Sequence, residues 1–179
     1  MNILLIILAI VGGLIALILI VALFTEKAYS VERGIVIDRA SDDVFQYIRY
    51  LKNQENYSKW VMTDPNKKTV STGIDGTVGF IYAWHGNKDA GKGEQEIVSI
   101  VEGKRMDVEI RFQKPFEAVA TVPFIVEAIS PQQSRFIWSM NSKMNYPMNI
   151  MLAVMSIDKM LGKDMEISLK TLKGILENK

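Results

Sequence analysis

The most constraining feature of this chain is residues 146–179, a long amphipathic helical pattern that comes after a run of strand-like segments. Met148, Met151, Leu152 and Met155 form a first apolar face. Leu161, Met165, Leu169, Leu172 and Leu176 continue it at steps of three and four, the spacing of one helix face. Pro147 suits a first helical turn, where its missing amide donor is not needed. Most of a helix's stability in a protein comes from packing an apolar face, so this stripe needs a large apolar surface. The preceding strands must supply that surface. The expected product is a sheet wrapped around one helix, with a cavity between them. Gly162 interrupts the stripe at a cost of about 1 kcal/mol relative to alanine, and a bend or a gap beside ligand is the expected reason.

The segments before the helix read as follows. Val31, Ile35, Val36 and Ile37 predict a strand over residues 30–37. Ser41-Asp42-Asp43 predicts a helix start, with Ser41 capping and two acids at the positive end of the dipole. Val44, Tyr47, Ile48 and Leu51 then recur at helical spacing, and a short helix or turn covers residues 54–60. Asp64-Pro65-Asn66 breaks it. Strands are predicted over residues 67–71, 77–85, 93–101, 105–112, 118–128 and 135–141. Short turns between them imply antiparallel neighbours.

Alternation assigns the inward residues. Phe80, Tyr82 and Trp84 share one face, Val108 and Ile110 another with Met106 and Phe112, and Phe136, Trp138 and Met140 a third. In the 118–128 segment Phe124 points inward with Ala120, Val122 and Val126. Pro123 falls on the outward set, which predicts an edge position or a bulge. The 93–101 segment has two possible registers. One puts Glu94 and Glu96 inward as polar pocket groups, where burial would raise their pKa values; the other puts Gln95, Ile97 and Ser99 inward and both acids in water.

Three stretches carry a resemblance. IVIDRASDDVFQYIRYLKNQENYSKW (residues 35–60) resembles the opening of the START-like, helix-grip superfamily, also called SRPBCC. GKGEQEIVSIVEGKRMDVEIRFQKPF (residues 91–116) and FIWSMNS (residues 136–142) resemble its later strands. That superfamily includes polyketide cyclase/dehydrase-like proteins, lipid-transfer proteins and the birch-pollen allergen type. The resemblance implies an α+β helix-grip fold: a strand, two helices, five or six further strands of a curved antiparallel sheet, and a long closing helix. It covers nearly all of residues 30–179, and its motifs are structural rather than catalytic.

Ahead of this domain Ile3–Phe24 runs for 22 residues without a charge. At 1.5 Å per residue that spans a bilayer core of roughly 30 Å. The alternative is a cleaved signal peptide, but the run exceeds the ~7–15 residues of a signal h-region and lacks a basic segment before it. Residues 1–28 therefore read as a single-pass transmembrane anchor and residues 29–179 as the ligand-binding domain. Lys27, Arg33 and Arg39 follow the span and none precedes it, which places the domain in the cytoplasm by the positive-inside tendency.

Composition removes several function classes. With 21 basic and 20 acidic residues the chain offers no field for nucleic acid. No cysteine and one histidine leave no usual zinc, copper or haem site, so neither metal nor cofactor is expected. Gly86-x-x-x-x-Gly91-Lys92 imitates a phosphate loop, but Gly93 stands where Ser or Thr should hold magnesium and the context is strand–strand.

What remains is a membrane-anchored domain that binds a lipid or another hydrophobic small molecule. The expected pocket residues are Phe80, Tyr82, Trp84, Val108, Ile110, Phe124, Phe136, Trp138, Met140, Met148, Met151 and Met155. Seven of the ten methionines fall between Met140 and Met165, and flexible thioethers suit varied apolar partners. The methionine-rich start of the closing helix is therefore the expected ligand face, and its leucine-rich end plain packing. Two other functions fit the same fold: a cyclase-, dehydratase- or hydrolase-like enzyme using Glu94, Glu96, His85 or Tyr82 as acid/base groups, and a structural or regulatory membrane protein with a filled core.

Overall fold

A computed structural model describes residues 2–178. The uncharged run forms helix α1 (Ile3–Phe24), exposed along its length except at Ala22. It is long and apolar enough to cross a membrane, as a signal sequence would also be. Then follow β1 (Ala28–Ile37), α2 (Ser41–Ile48) and two short 3-10 turns, Leu51–Asn56 and Val61–Thr63. Six strands come next: β2 (Lys68–Thr72), β3 (Ile81–His85), β4 (Lys92–Val101), β5 (Arg105–Lys114), β6 (Ala118–Ser130) and β7 (Gln133–Lys143). The chain closes with α3 (Ile150–Val154) and α4 (Ile157–Glu177).

The seven strands form one antiparallel sheet in the order β1-β7-β6-β5-β4-β3-β2. Its inner face carries Met106 and Val108 of β5, Val122 and Phe124 of β6, and Phe136 and Trp138 of β7, all buried. Against that face pack Val44, Phe45 and Ile48 of α2 and Met165, Leu169, Leu172 and Leu176 of α4. The leucine-rich stripe is thus the helix that the sheet grips.

Several expectations need correction. The closing helix is two helices, because Met155 is extended (ψ 135°) and Ser156 leaves helical geometry before α4 begins. Ser41 is the first helical residue of α2 rather than its cap; Ala40 holds that position and offers no side-chain bond. Pro123 sits in an interior strand, buried. The β6–β7 ladder leaves out pairs at Val122 and Pro123, between Thr121↔Asn141 and Phe124↔Trp138, which accommodates the missing donor. Gly162 marks no gap: a Cβ there would stand 2.0 Å from Nη2 of Arg33.

Arg33 lies across α4 at that point. Its guanidinium donates to Asp158 at 2.9 and 3.0 Å and to Glu166 at 2.9 Å, tying β1 to the start of α4. Hydrogen bonding to Arg33 in turn holds the Asp158 carboxyl below its ordinary value. At the other end Arg39 Nε donates to the Leu176 carbonyl at 2.7 Å, a cation on the negative end of α4.

The geometry at Gly162 gives a direct test. Gly→Ala in a helix normally gains about 1 kcal/mol. Here Gly162→Ala is expected to give no gain or a loss, because Arg33 must leave its two carboxylates. In an Arg33→Ala background the same change should recover the gain. Denaturation of the four variants measures it, and a full gain in the Arg33 background would refute the contact.

The end of α1 is also held. Asn149, fully buried just before α3, donates its side-chain amide to the Ala22 carbonyl at 2.7 Å and the Thr25 carbonyl at 2.9 Å. These are carbonyls that the last turn of a helix leaves free.

Candidate functional site

The inner face is not filled everywhere. A cavity of about 250 Å³ lies between β3–β7, the two 3-10 turns and the start of α4. Its wall is mainly apolar and aromatic: Trp84, Ile110, Phe112, Phe124, Trp138 and Met140 from the sheet, Trp60 and Val61 from the turns, and Leu161 from α4. The strand period places these side chains on one face, and the antiparallel registers bring them together; Phe124 stands opposite Trp138, and Ile110 lies between Gln95 and Ala120.

The rings pack edge to face. Trp138 meets Trp60 at 5.5 Å and 84°, and Phe124 at 5.4 Å and 63°. Trp84 meets Phe112 at 6.1 Å and 81°, and its indole N–H donates to the Ala90 carbonyl at 2.9 Å. Gly93 makes room for that ring, since a Cβ there would be 2.8 Å from Trp84. Trp60 is oriented from α4, where Asp164 accepts its indole N–H at 3.1 Å and pairs with Lys59.

The polar part of the wall is small. Gln54 and Gln95, both about 4% exposed, share one long bond of 3.4 Å from Gln95 Nε2 to Gln54 Oε1. Among the described residues the Gln54 amide nitrogen and the Gln95 amide oxygen make no other hydrogen bond. Tyr82 donates its hydroxyl to Glu55; burial first, then the Glu55 carboxylate, pushes the phenol above its ordinary value, so it stays protonated. Next to the lining residue Thr63, the Asp64 carboxylate accepts from the backbone N–H groups of Asn66 and Asn87 at 2.9 and 2.7 Å.

Of the pocket residues expected from sequence, Tyr82, Trp84, Ile110, Phe124, Trp138 and Met140 line this cavity. Phe80, Val108 and Phe136 are buried in the adjoining core instead. Met148, Met151 and Met155 lie elsewhere, beside the end of α1, because the break at Met155–Ser156 turns that segment away from α4. The leucine-rich half, through Leu161, supplies the helical part of the wall. Glu94 and Glu96 are on the outer face. β4 takes the register with Gln95 and Ile97 buried, and Arg111 binds Glu94, Glu96 and Glu109 at 2.7, 2.7 and 2.6 Å. His85 is exposed at the end of β3. Of the four proposed acid/base groups, then, Tyr82 reaches the cavity and the other three do not converge on it.

The sequence reading omitted Gln54, Ser58, Trp60, Val61 and Leu161. Trp60 and Gln54 sit in a non-periodic connector, where no repeat assigns a face. Gln95 could have been found from its two-residue step to Ile97.

No family model matches the chain, and no curated protein matches it. Solved structures do. A truncated norcoclaurine synthase from Thalictrum flavum superposes with a TM-score of 0.65 at 8% identity, over 85% of this chain and 95% of that one. Ara h 8.0201 gives 0.56 at 14% identity, over 85% and 99%. The di-domain ARO/CYC StfQ from the steffimycin biosynthetic pathway gives 0.62 at 12% identity, where the match covers 85% of this chain and 51% of that one. These are Bet v1-like, SRPBCC-type structures, and the seven-stranded antiparallel sheet with its long C-terminal helix gives this chain their helix-grip fold.

Proposed function

We propose that this protein is a membrane-anchored binding module, in which residues 29–179 hold a hydrophobic small molecule between sheet and α4. One observation carries the reading: an apolar cavity of about 250 Å³ remains inside an otherwise packed interior. Binding sites are typically apolar clefts of ~300–1,000 Å³ with a few placed polar groups. This cavity is at or below the small end, so it suits a compact ring system or a single chain rather than a two-chain lipid. Gln54 and Gln95 offer amide groups to one polar end of such a ligand. Burial of apolar surface, at roughly 25 cal/mol per Å², drives association, and no side chain need perform chemistry.

Residues 1–28 serve as the anchor in this reading. The uncharged span of α1 supports it, and so does Asn149, whose buried amide would lose a partner if the helix were removed at Ala22. Lys27, Arg33 and Arg39 after the span support a cytoplasmic side for the domain in this reading.

Native mass spectrometry of the full chain in detergent, prepared with and without lipid extract, tests the binding. A reproducible bound mass is expected. A chain that never retains or takes up an apolar molecule would sink the proposal.

A further inference from the structure

Asp89, an exposed member of the cavity wall in the β3–β4 loop, lies at the end of the sheet from which α1 emerges. Register fixes this geometry. β1 begins where β7 ends (Ala28↔Lys143), β4 begins where β5 ends (Lys92↔Lys114), and β2 begins where β3 ends (Lys68↔His85). The opposite end holds the β6–β7 turn at Pro131 and Gln132, because Ser130 pairs with Gln133. The cavity is lined from the α1 end by Tyr29, Lys67, Trp84, Asp89 and Phe112.

That same end carries unpartnered apolar side chains. Phe116, at the β5–β6 turn, is 67% exposed, and Phe24 at the end of α1 is 86% exposed. Val154 of α3 is 74% exposed, with Met148 and Met155 on either side of that helix also exposed. Lys27, Lys68, Lys88, Lys114 and Lys143 are exposed at this end, against Glu26, Asp89 and Glu117. The excess of lysine is small, so apolar insertion rather than charge would have to supply most of the attraction.

Asn149 ties this rim to α1. By gripping the last carbonyls of α1 it fixes α3 beside the point where the chain leaves that helix. If α1 spans a bilayer, α3 and the Phe116 turn cannot be far from its surface.

We infer that this rim (α3, the β5–β6 turn and the end of α1) rests in the headgroup layer of the bilayer that holds α1, so that the cavity exchanges its ligand with the membrane rather than with water. The inference rests on the anchor reading of α1.

Because the chain has no cysteine, single cysteines can be placed at will. The full chain is reconstituted in phosphatidylcholine vesicles containing phosphatidylglycerol. An environment-sensitive dye is attached at Phe116→Cys, at Val154→Cys or, at the far end, at Gln132→Cys. Brominated lipids are expected to quench the first two labels at least about twofold more than the third, as for residues held ~5–10 Å into the headgroup and acyl boundary. Labels at 116 and 154 as unquenched as the label at 132 would overturn the inference. Alkaline carbonate extraction separates the two readings. Release of the chain by carbonate overturns the anchor and this inference together; retention with unquenched labels overturns this inference alone.

Discussion

Replacing Ile110 with tryptophan is expected to abolish ligand retention while the domain stays folded. Ile110 is only partly buried, lines the cavity, and stands between Gln95 and Ala120 on the neighbouring strands. The larger side chain therefore has empty space to enter. A fully packed site would lose about 1–3 kcal/mol to such an insertion, and a residue beside a cavity should lose less. Binding, in contrast, loses the volume it needs, and a drop of at least about tenfold, or 1.4 kcal/mol, is expected. Native mass spectrometry of the variant reads the bound mass, and circular dichroism reads the fold. The variant also separates cavity ligand from lipid adhering to α1, which it should leave unchanged. Undiminished retention in a folded Ile110→Trp protein would show that the ligand sits elsewhere.

Phe136→Ala should do the reverse. Phe136 lies two residues from Trp138 on the same face of β7, yet it is fully buried and touches no part of the cavity. Its ring packs 5.7 Å from that of Phe124, and its strand neighbours are Ile35 and Val126. Truncation of such a phenylalanine typically costs about 3–5 kcal/mol. That is a large part of a total stability of ~5–15 kcal/mol. Urea or thermal denaturation in detergent should show the loss, and ligand retention well below the transition should persist. A loss under ~1 kcal/mol would mean that the core under α2 and α4 is not tightly packed. Together the two substitutions divide one sheet face into a part that packs and a part that receives.

The periodic parts of the fold were legible because period and environment agreed. β5, with Met106, Val108 and Ile110 against Asp107, Glu109 and Arg111, admits one orientation. β4 does not, since Ile97 and Val98 are adjacent and apolar residues occur on both faces. Its register is settled by pairing: Arg111 on β5 gathers Glu94 and Glu96 to the outer face. The role of Gly162 was illegible for a related reason. Arg33, which occupies the space a Cβ would take, is distant in sequence, and no local pattern points to it. The division between α3 and α4 carries no proline or glycine at Met155–Ser156; its one trace in the sequence is that Asp158 and Lys159 stand three and four residues after Met155, where the apolar stripe should continue. The cavity followed the same rule. Its strand-borne residues could be assigned by alternation, while Trp60 and Gln54 could not, because a connector has no period.

The pairing of β1 with β7 sets the order in which this domain can be made. Among the described residues β1 pairs with β7 alone, so its ladder joins the first strand to the last and waits for residues 133–143. Contacts between segments so distant in the chain close late and slow the folding rate. Until then Val31, Ile35, Val36 and Ile37 form an unpaired strand directly after α1, the kind of edge that recruits other chains. The β2–β7 meander, built from neighbouring hairpins, can assemble without it. Folding should therefore show an early phase in the meander and a later closure, with aggregation competing chiefly in the interval between them.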